Sequence, residues 1–418
     1  MAELTETRIF LRQDSVFLAA NGGVFMRSAK GNFYIKGDTA YGWTSALAPQ
    51  LAKGTTQREL CAGLDPQRAR IVSGLVHNLM DSGLVAPLDP EPEGLLTPAE
   101  LTLFAPQIAF LAHHTTAPHH AMRRVRDVRV AVAGEGEEAA TAARTLLRNG
   151  VGHVALLGSA AGDPRVVEEL RAVCRESAQR GAEADVTLLA AAWDHGWTAG
   201  LADWKPSAVL APPHGVPDRT RDELARTARA AGAAFVSART YGDLLVKGPL
   251  ESGSKPCRNC LELQLADHAA DSLVADLHRR RVAALARPGA ARVSPVVAMT
   301  AASELATEVF QHLSGARVPD LLGAVLVQHP LTLETWRETL VARPDCAVCA
   351  SAPSLAERQT RLKAVRKGDH DLPEATVGRT TPEATRRAPP WRCWRAWNAT
   401  RDSSRAPAGP SSAPPWTP

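Results

Sequence analysis

Four cysteines in two pairs, Cys257-Arg258-Asn259-Cys260 and Cys346-Ala347-Val348-Cys349, carry the clearest chemical signal in this sequence. Two residues separate the thiols of each pair, and 85 residues separate the pairs. Thiols at i and i+3 on a tight turn can both reach one ion. Two such knuckles supply the four thiolates of a closed tetrahedral zinc site, which is structural because no coordination position is left for a substrate. A redox dithiol in one pair and four plain core cysteines are the competing readings. The repeated spacing, with Pro256 and Pro344 just ahead of the pairs, favours the metal. Zinc here predicts that the chain between 260 and 346 leaves the body of the protein and is pinned back by the ion.

The elements that must hold these knuckles read as an alternating α/β domain. Residues 128–133, 152–157, 186–189, 208–211 and 234–237 are apolar runs of strand length. Helical patterns separate several of them, at 139–147, 165–181 and 218–231, which predicts a sheet with helices on its faces. A strand over 241–250 enters the first knuckle. Helices over 261–285 and 295–313 follow, the second with Thr300, Glu304 and Glu308 on one stripe. Strands at 324–327 and 332–336 lead to the second knuckle.

The turn after the first strand, Gly134-Glu135-Gly136-Glu137-Glu138-Ala139, stands where a dinucleotide fold cradles phosphate. Three glutamates there would repel phosphate at a helix N-terminus that otherwise attracts anions. The second strand ends in Leu157-Gly158-Ser159, with no carboxylate for a ribose. A structural turn is the reading, with a bound nucleotide as its alternative. His214 falls at a strand end, where α/β sites form, though a loop histidine is more commonly incidental. Trp193, Trp197 and Trp204 cluster in a loop, as packing or as a contact surface.

Ahead of this domain, 16–18, 24–26 and 32–36 are short β-prone runs broken by Asn21-Gly22-Gly23 and Lys30-Gly31-Asn32, a meander of hairpins. Thr39 caps a helix to about Leu51, Thr55-Thr56 opens a short one, and Asp65-Pro66 starts a third. That third helix shows Ile71, Leu75 and Leu79 on one face and stops at Gly83, before a closing strand at 84–88. The pattern predicts a small winged helix-turn-helix. From Gln67 to Asp81 its only Arg or Lys residues are Arg68 and Arg70, too few for a DNA recognition helix. A groove between an edge strand and a helix suits a peptide added as a strand.

Length and composition allow two or three domains: 418 residues, 45% hydrophobic and 22% charged. The net charge of +4 belongs to the tail, because residues 354–418 hold 12 Lys+Arg against 6 Asp+Glu, leaving the first 353 at −2. A basic nucleic-acid-binding body is thereby disfavoured. No apolar run approaches a membrane span, and the acidic start lacks a secretory segment. Seven cysteines, four in metal-type spacing, suit a reducing cytoplasm. Residues 91–124 read as a linker carrying a short helix capped at Thr97, with Glu100 completing a capping box. His113, His114, His119 and His120 bracket a loop there as a weak metal lead. The tail, rich in Pro, Arg and Trp, reads as disordered, and an unrelated reading frame is an alternative for it.

The four cysteines, the glycine turn and the preceding winged-helix pattern together resemble one family over about 8–350. It is the ThiF-like leader-peptide-binding protein of thiazole/oxazole-modified ribosomal peptide biosynthesis, partner of a YcaO-type cyclodehydratase. The fold implied is α/β: a winged helix-turn-helix peptide-recognition domain (8–90), a linker (91–124), a ThiF-like Rossmann-type sheet domain with zinc knuckles (125–352) and a tail (353–418). The resemblance implies structural zinc on Cys257, Cys260, Cys346 and Cys349. It implies a leader strand along Asn32, Phe33, Tyr34, Ile35 and Lys36, against Arg68, Ile71, Leu75 and Leu79 of the third helix. The chain would be non-catalytic and use no ATP; its partner would use ATP to form azolines. Active ThiF-like enzymes carry a third glycine, an acidic residue after the second strand and an Arg/Asn/Lys set for ATP. This sequence has Ala139, Gly158-Ser159 and no recognisable form of that set. An adenylating enzyme, a zinc-containing DNA-binding regulator and a homodimeric assembly remain the open alternatives.

Overall fold

A computed structural model describes residues 6–12, 15–28, 31–88, 94–194, 196–241, 244–267, 293–352 and 354. The N-terminal unit contains β1 (Arg8–Leu11), β2 (Val16–Ala20), β3 (Gly23–Ser28), β4 (Gly31–Lys36), β5 (Thr55–Thr56) and β6 (Val85–Pro87). Helices Ala40–Lys53, Gln57–Cys61 and Pro66–Asp81 lie between β4 and β6. The start signals read from sequence are met in two of the three helices. Thr56 and Glu59 close a capping box on the second, and Asp65 accepts from the Gln67 and Arg68 amides at the third, with Pro66 in its first turn. Thr39 flanks the first helix but makes no side-chain cap.

The expected hairpin meander is the antiparallel sheet β2-β3-β4, and the expected closing strand lies in a separate sheet, β5-β1-β6. The closing strand β6 pairs with β1, which the sequence reading left unassigned. Val24 and Met26 of the meander pack with Leu47, Leu51, Val72, Leu75, Val76 and Leu79 in one core. Burying each such side chain stabilises by about 1.5–3 kcal/mol.

The expected linker is largely helical from 98 onward: Pro98–Leu103, Ala105–Ala112 and Pro118–Asp127. Phe104, Leu111, Met122 and Val125 join the main core, so this stretch belongs to the sheet domain. Glu100, capped as expected by Thr97, also pairs with buried Arg126 at 3.0 Å. Arg126 further donates to the carbonyls of Gly150 and Glu183, clamping the helices to the sheet edge.

The large sheet has eight strands: β7 (Arg129–Ala133), β8 (His153–Leu157), β9 (Asp185–Ala190), β10 (Ala208–Ala211), β11 (Ala234–Tyr241), β12 (Leu244–Lys247), β13 (Ala324–Gln328) and β14 (Thr335–Thr339). Their order is β14-β13-β12-β11-β10-β7-β8-β9. Strands β9-β8-β7-β10-β11 run parallel, and β12, β13 and β14 extend the sheet antiparallel. The chain reverses direction across the sheet at β7, so a switch-point crevice opens beyond the carboxyl ends of β7 and β10. The strand expected over 241–250 is in fact the end of β11 and the separate β12.

Helix Pro295–Ser314 packs on helix Gly136–Arg148 and the sheet. Buried Lys247 reaches Glu304 and Gln328, and the Leu321 amide donates to Glu308 at 2.9 Å. The polar stripe Glu304–Glu308 thus anchors the helix, while Thr300 is exposed. The helix expected over 261–285 is described as Arg258–Asp267; its remainder lies outside the described residues, as does the tail apart from Ser354. No described helix is long and apolar enough to cross a membrane.

Candidate functional site

The two cysteine pairs meet. Cys257, Cys260, Cys346 and Cys349 are all buried, and their four Sγ atoms lie within 4.8 Å of one another. Cys257 faces Cys346 at 3.7 Å and Cys260 faces Cys349 at 3.4 Å, far beyond a disulfide bond. Tetrahedral thiolate zinc, with bonds of about 2.3 Å, sets sulfurs about 3.8 Å apart. The spacing and the donor set therefore fit such an ion with small adjustment. Asn259 Nδ2 donates to Cys346 Sγ at 3.2 Å, and the Arg343 amide donates to Cys260 Sγ at 3.5 Å. Burial pushes Cys257 up, and it raises Cys349 to about 12 with help from the Cys260 hydrogen bond. Burial acts the same way on Cys346, but hydrogen bonds from Asn259 and nearby amides outweigh it and bring that thiol to about 6. The group can hold a metal ion. Arg258 also ties the first knuckle to Asp222 of helix Asp218–Ala230.

Side chains of the chain itself border the switch-point crevice. Gly134 joins the end of β7 to that of β8, its amide donating to Leu157 O at 3.0 Å and its carbonyl accepting from the Ala160 amide at 3.2 Å, while the Gly158 amide donates to Ala190 O of β9 at 2.9 Å. Gly158 has φ of 82°, and a Cβ there would lie 2.7 Å from Trp193. The indole covers the end of β8, where the sequence lacks a ribose carboxylate, and its N–H donates to Gly215 O at 3.3 Å. Beyond β10, His214 clasps Glu138 from the glycine turn: its amide lies 3.2 Å from one carboxylate oxygen and Nδ1 lies 2.5 Å from the other. Arg221, fully buried, donates to the carbonyls of Ala211, Pro212, Pro213, Val216 and Ala238 and fixes the loop that carries His214. Burial lowers its guanidinium to about 10. A pocket of about 280 Å3 remains beside the turn, lined by Glu135, Gly136, Glu137, Glu138, Pro295 and Met299. Sequence reasoning noted His214 and the tryptophans but missed Arg221. His214 meets a partner 76 residues away, whereas four of the five carbonyls Arg221 serves lie 5–10 residues before it, in a turn whose shape no local pattern announces.

The residues singled out for peptide binding separate into two groups. Asn32, Tyr34 and Lys36 of β4 are exposed, while Phe33 and Ile35 are half-buried against the N-terminal core. On the third helix, Arg68 pairs with Asp65 at 3.3 Å and Ile71 is exposed. Leu75 and Leu79 are buried with Val72 and Val76, so they support the surface from beneath. Of the four linker histidines, His113 caps one helix, and His119 and His120 open the next. Among the described residues, only the four cysteines form a metal-type group.

A parallel core with a switch point, antiparallel strands beyond it and a split four-cysteine group make up a mixed α/β architecture. Solved structures share its fold. The Microcin C7 biosynthetic enzyme MccB in complex with N-formylated MccA matches with a TM-score of 0.60 and 15% identity, over 82% of this chain and 99% of that one. E. coli MccB with ATP matches with a TM-score of 0.58 and 14% identity over the same shares. PaaA matches with a TM-score of 0.54 and 13% identity, over 78% of this chain and 99% of its own. No protein-family model matches the sequence, and no curated protein matches it either. At these identities the likeness establishes the fold.

Proposed function

We propose that this chain binds the leader segment of a ribosomally made precursor peptide and delivers it to a YcaO-type cyclodehydratase for azoline formation. In this reading the N-terminal unit (8–90) is a recognition module of winged-helix type. The leader adds as a strand to β4, along Asn32–Lys36, with Arg68 and Ile71 of helix Pro66–Asp81 as its further contacts. The sheet domain is a platform, and the ion on its four cysteines is structural zinc. The observation that carries the reading is the contrast between two places. The crevice where this fold would hold a nucleotide is covered by Trp193 and bordered by three glutamates, one clasped by His214. The outer strand β4 presents exposed side chains in alternation, the arrangement that β-strand addition uses. The solved MccB complex with N-formylated MccA adds support from a shared fold.

The test is fluorescence polarisation of a labelled leader from the precursor encoded beside this gene. Low-micromolar or tighter binding is expected, unchanged by ATP, with no thermal shift from ATP alone. Absence of leader binding overturns the delivery reading. The second reading, an adenylating enzyme, is favoured by the fold shared with ATP-bound MccB and by the pocket beside the glycine turn. An ATP-dependent thermal shift abolished by altering Gly136 would establish it instead.

A further inference from the structure

The solvent face of the β2-β3-β4 meander is patterned. Register and alternation set three rows across it: Val16–Arg27–Asn32, Leu18–Phe25–Tyr34 and Ala20–Gly23–Lys36. The opposite face, with Val24 and Met26, lies in the core. Leu18 is 56% exposed and Tyr34 44%, and Arg27 and Lys36 are exposed on either side of them. The Tyr34 ring leans back over Gly23, its hydroxyl donating to Asn21 O at 2.5 Å. An apolar row therefore runs to the outer strand β4 between two rows that each carry a cation. Residues 16–36 hold Arg27, Lys30 and Lys36 and no Asp or Glu. A strand added beside β4 would continue the three rows, because residues directly opposite on neighbouring strands stand about 4.5–5.5 Å apart at Cβ.

We propose that the peptide strand taken up at β4 is acidic and apolar in alternation along its solvent face. It places an apolar side chain opposite Tyr34 and carboxylates opposite Lys36 and Asn32. This rests on the leader-capture reading and adds the chemistry that the leader must carry. A carboxylate opposite Lys36 meets its ammonium. One opposite Asn32 meets an amide and, in the same row, the Arg27 guanidinium. An apolar side chain opposite Tyr34 extends the row that begins at Leu18. Lysine opposite Lys36 would set like charges across the pair, which is destabilising. Addition to β2 would instead put the peptide beside Val16, Leu18 and Ala20, in a strand with no charged residue.

The experiment is fluorescence polarisation on the full chain with three probes. These are the labelled leader encoded beside this gene, the same peptide with every Asp and Glu changed to Asn and Gln, and the same with them changed to Lys. Neutralisation is expected to weaken binding about tenfold and reversal more. An Arg27→Glu/Lys36→Glu variant, checked for an unchanged melting midpoint, should lose the native leader about tenfold and prefer the lysine form. If neutralised and native leaders bind alike, or the variant keeps the native leader, the inference is overturned while leader capture stands. If the native leader fails to bind the wild-type chain, both fall.

Discussion

Replacing Cys257 by Ser is expected to abolish the proposed zinc binding and with it the order of the knuckle region. The four thiols are 0–2% exposed, and among the described residues only Leu263 and Ala352 pack against their cluster as partly buried hydrophobics. Little apolar burial is therefore available to hold the second knuckle in place without an ion. Structural zinc in small peptides supplies about 10–16 kcal/mol of binding free energy that is also folding free energy. A hydroxyl in place of one thiolate would forfeit a large part of it. A loss of about 5 kcal/mol lowers the melting midpoint by about 10–20 °C in a domain of this size. Metal content by mass spectrometry, with circular-dichroism melts before and after chelation, reads both effects. About one zinc per wild-type chain is expected, little in the variant, and matching falls in midpoint for the variant and the chelated protein. Cys61→Ser, outside the cluster, should keep its zinc. A wild-type chain without bound metal, or a variant with undiminished metal and midpoint, would refute the reasoning.

Three further outcomes follow from the packing. Glu100→Gln leaves Arg126 buried without its carboxylate and should cost about 3–5 kcal/mol in urea unfolding. Although burial opposes it, the Thr97 amide and Arg126 hold the Glu100 carboxyl below its ordinary value. Its contribution is therefore present above the unfolded carboxyl pKa and lost as pH falls through the lower folded value; wild type and variant should converge in acid. Gly158→Ala should destabilise by about 1–3 kcal/mol, since its Cβ would lie 2.7 Å from Trp193 and 2.8 Å from Gly134 O at φ 82°. A double-mutant cycle with Trp193→Ala should recover only part of that loss, because the carbonyl remains. Arg221→Met deprives five carbonyls of their donor and should cost about 3 kcal/mol or more by chemical denaturation.

Much of the sheet domain was legible because its strands are short apolar runs separated by amphipathic helices, a pattern that tertiary context rarely overturns. The thiols were legible because i, i+3 spacing repeats, and the distances bear out that the pairs converge. The helices at 105–127 were masked by Pro106, Pro118 and the histidines. Yet Ala121, Met122 and Val125 lie on one helical face, and a proline in the first turn is a start signal, so the sign was there. Ile71 shows why periodicity alone misplaces a face. It shares a stripe with Leu75 and Leu79, but the buried face is made by Val72, Leu75, Val76 and Leu79 and leaves Ile71 outside its edge. Contacts such as His214 with Glu138, 76 residues apart, depend on which strands become neighbours, and no local sequence pattern carries that information.

Hydrogen–deuterium exchange of the full chain, with and without the leader encoded beside this gene, addresses peptide capture itself. Strand addition predicts slowed amide exchange in fragments covering Gly31–Lys36, with the glycine turn at 134–139 and the loop at 212–216 unchanged. Protection confined to the turn and that loop, or none at β4, would contradict it and direct attention to the crevice.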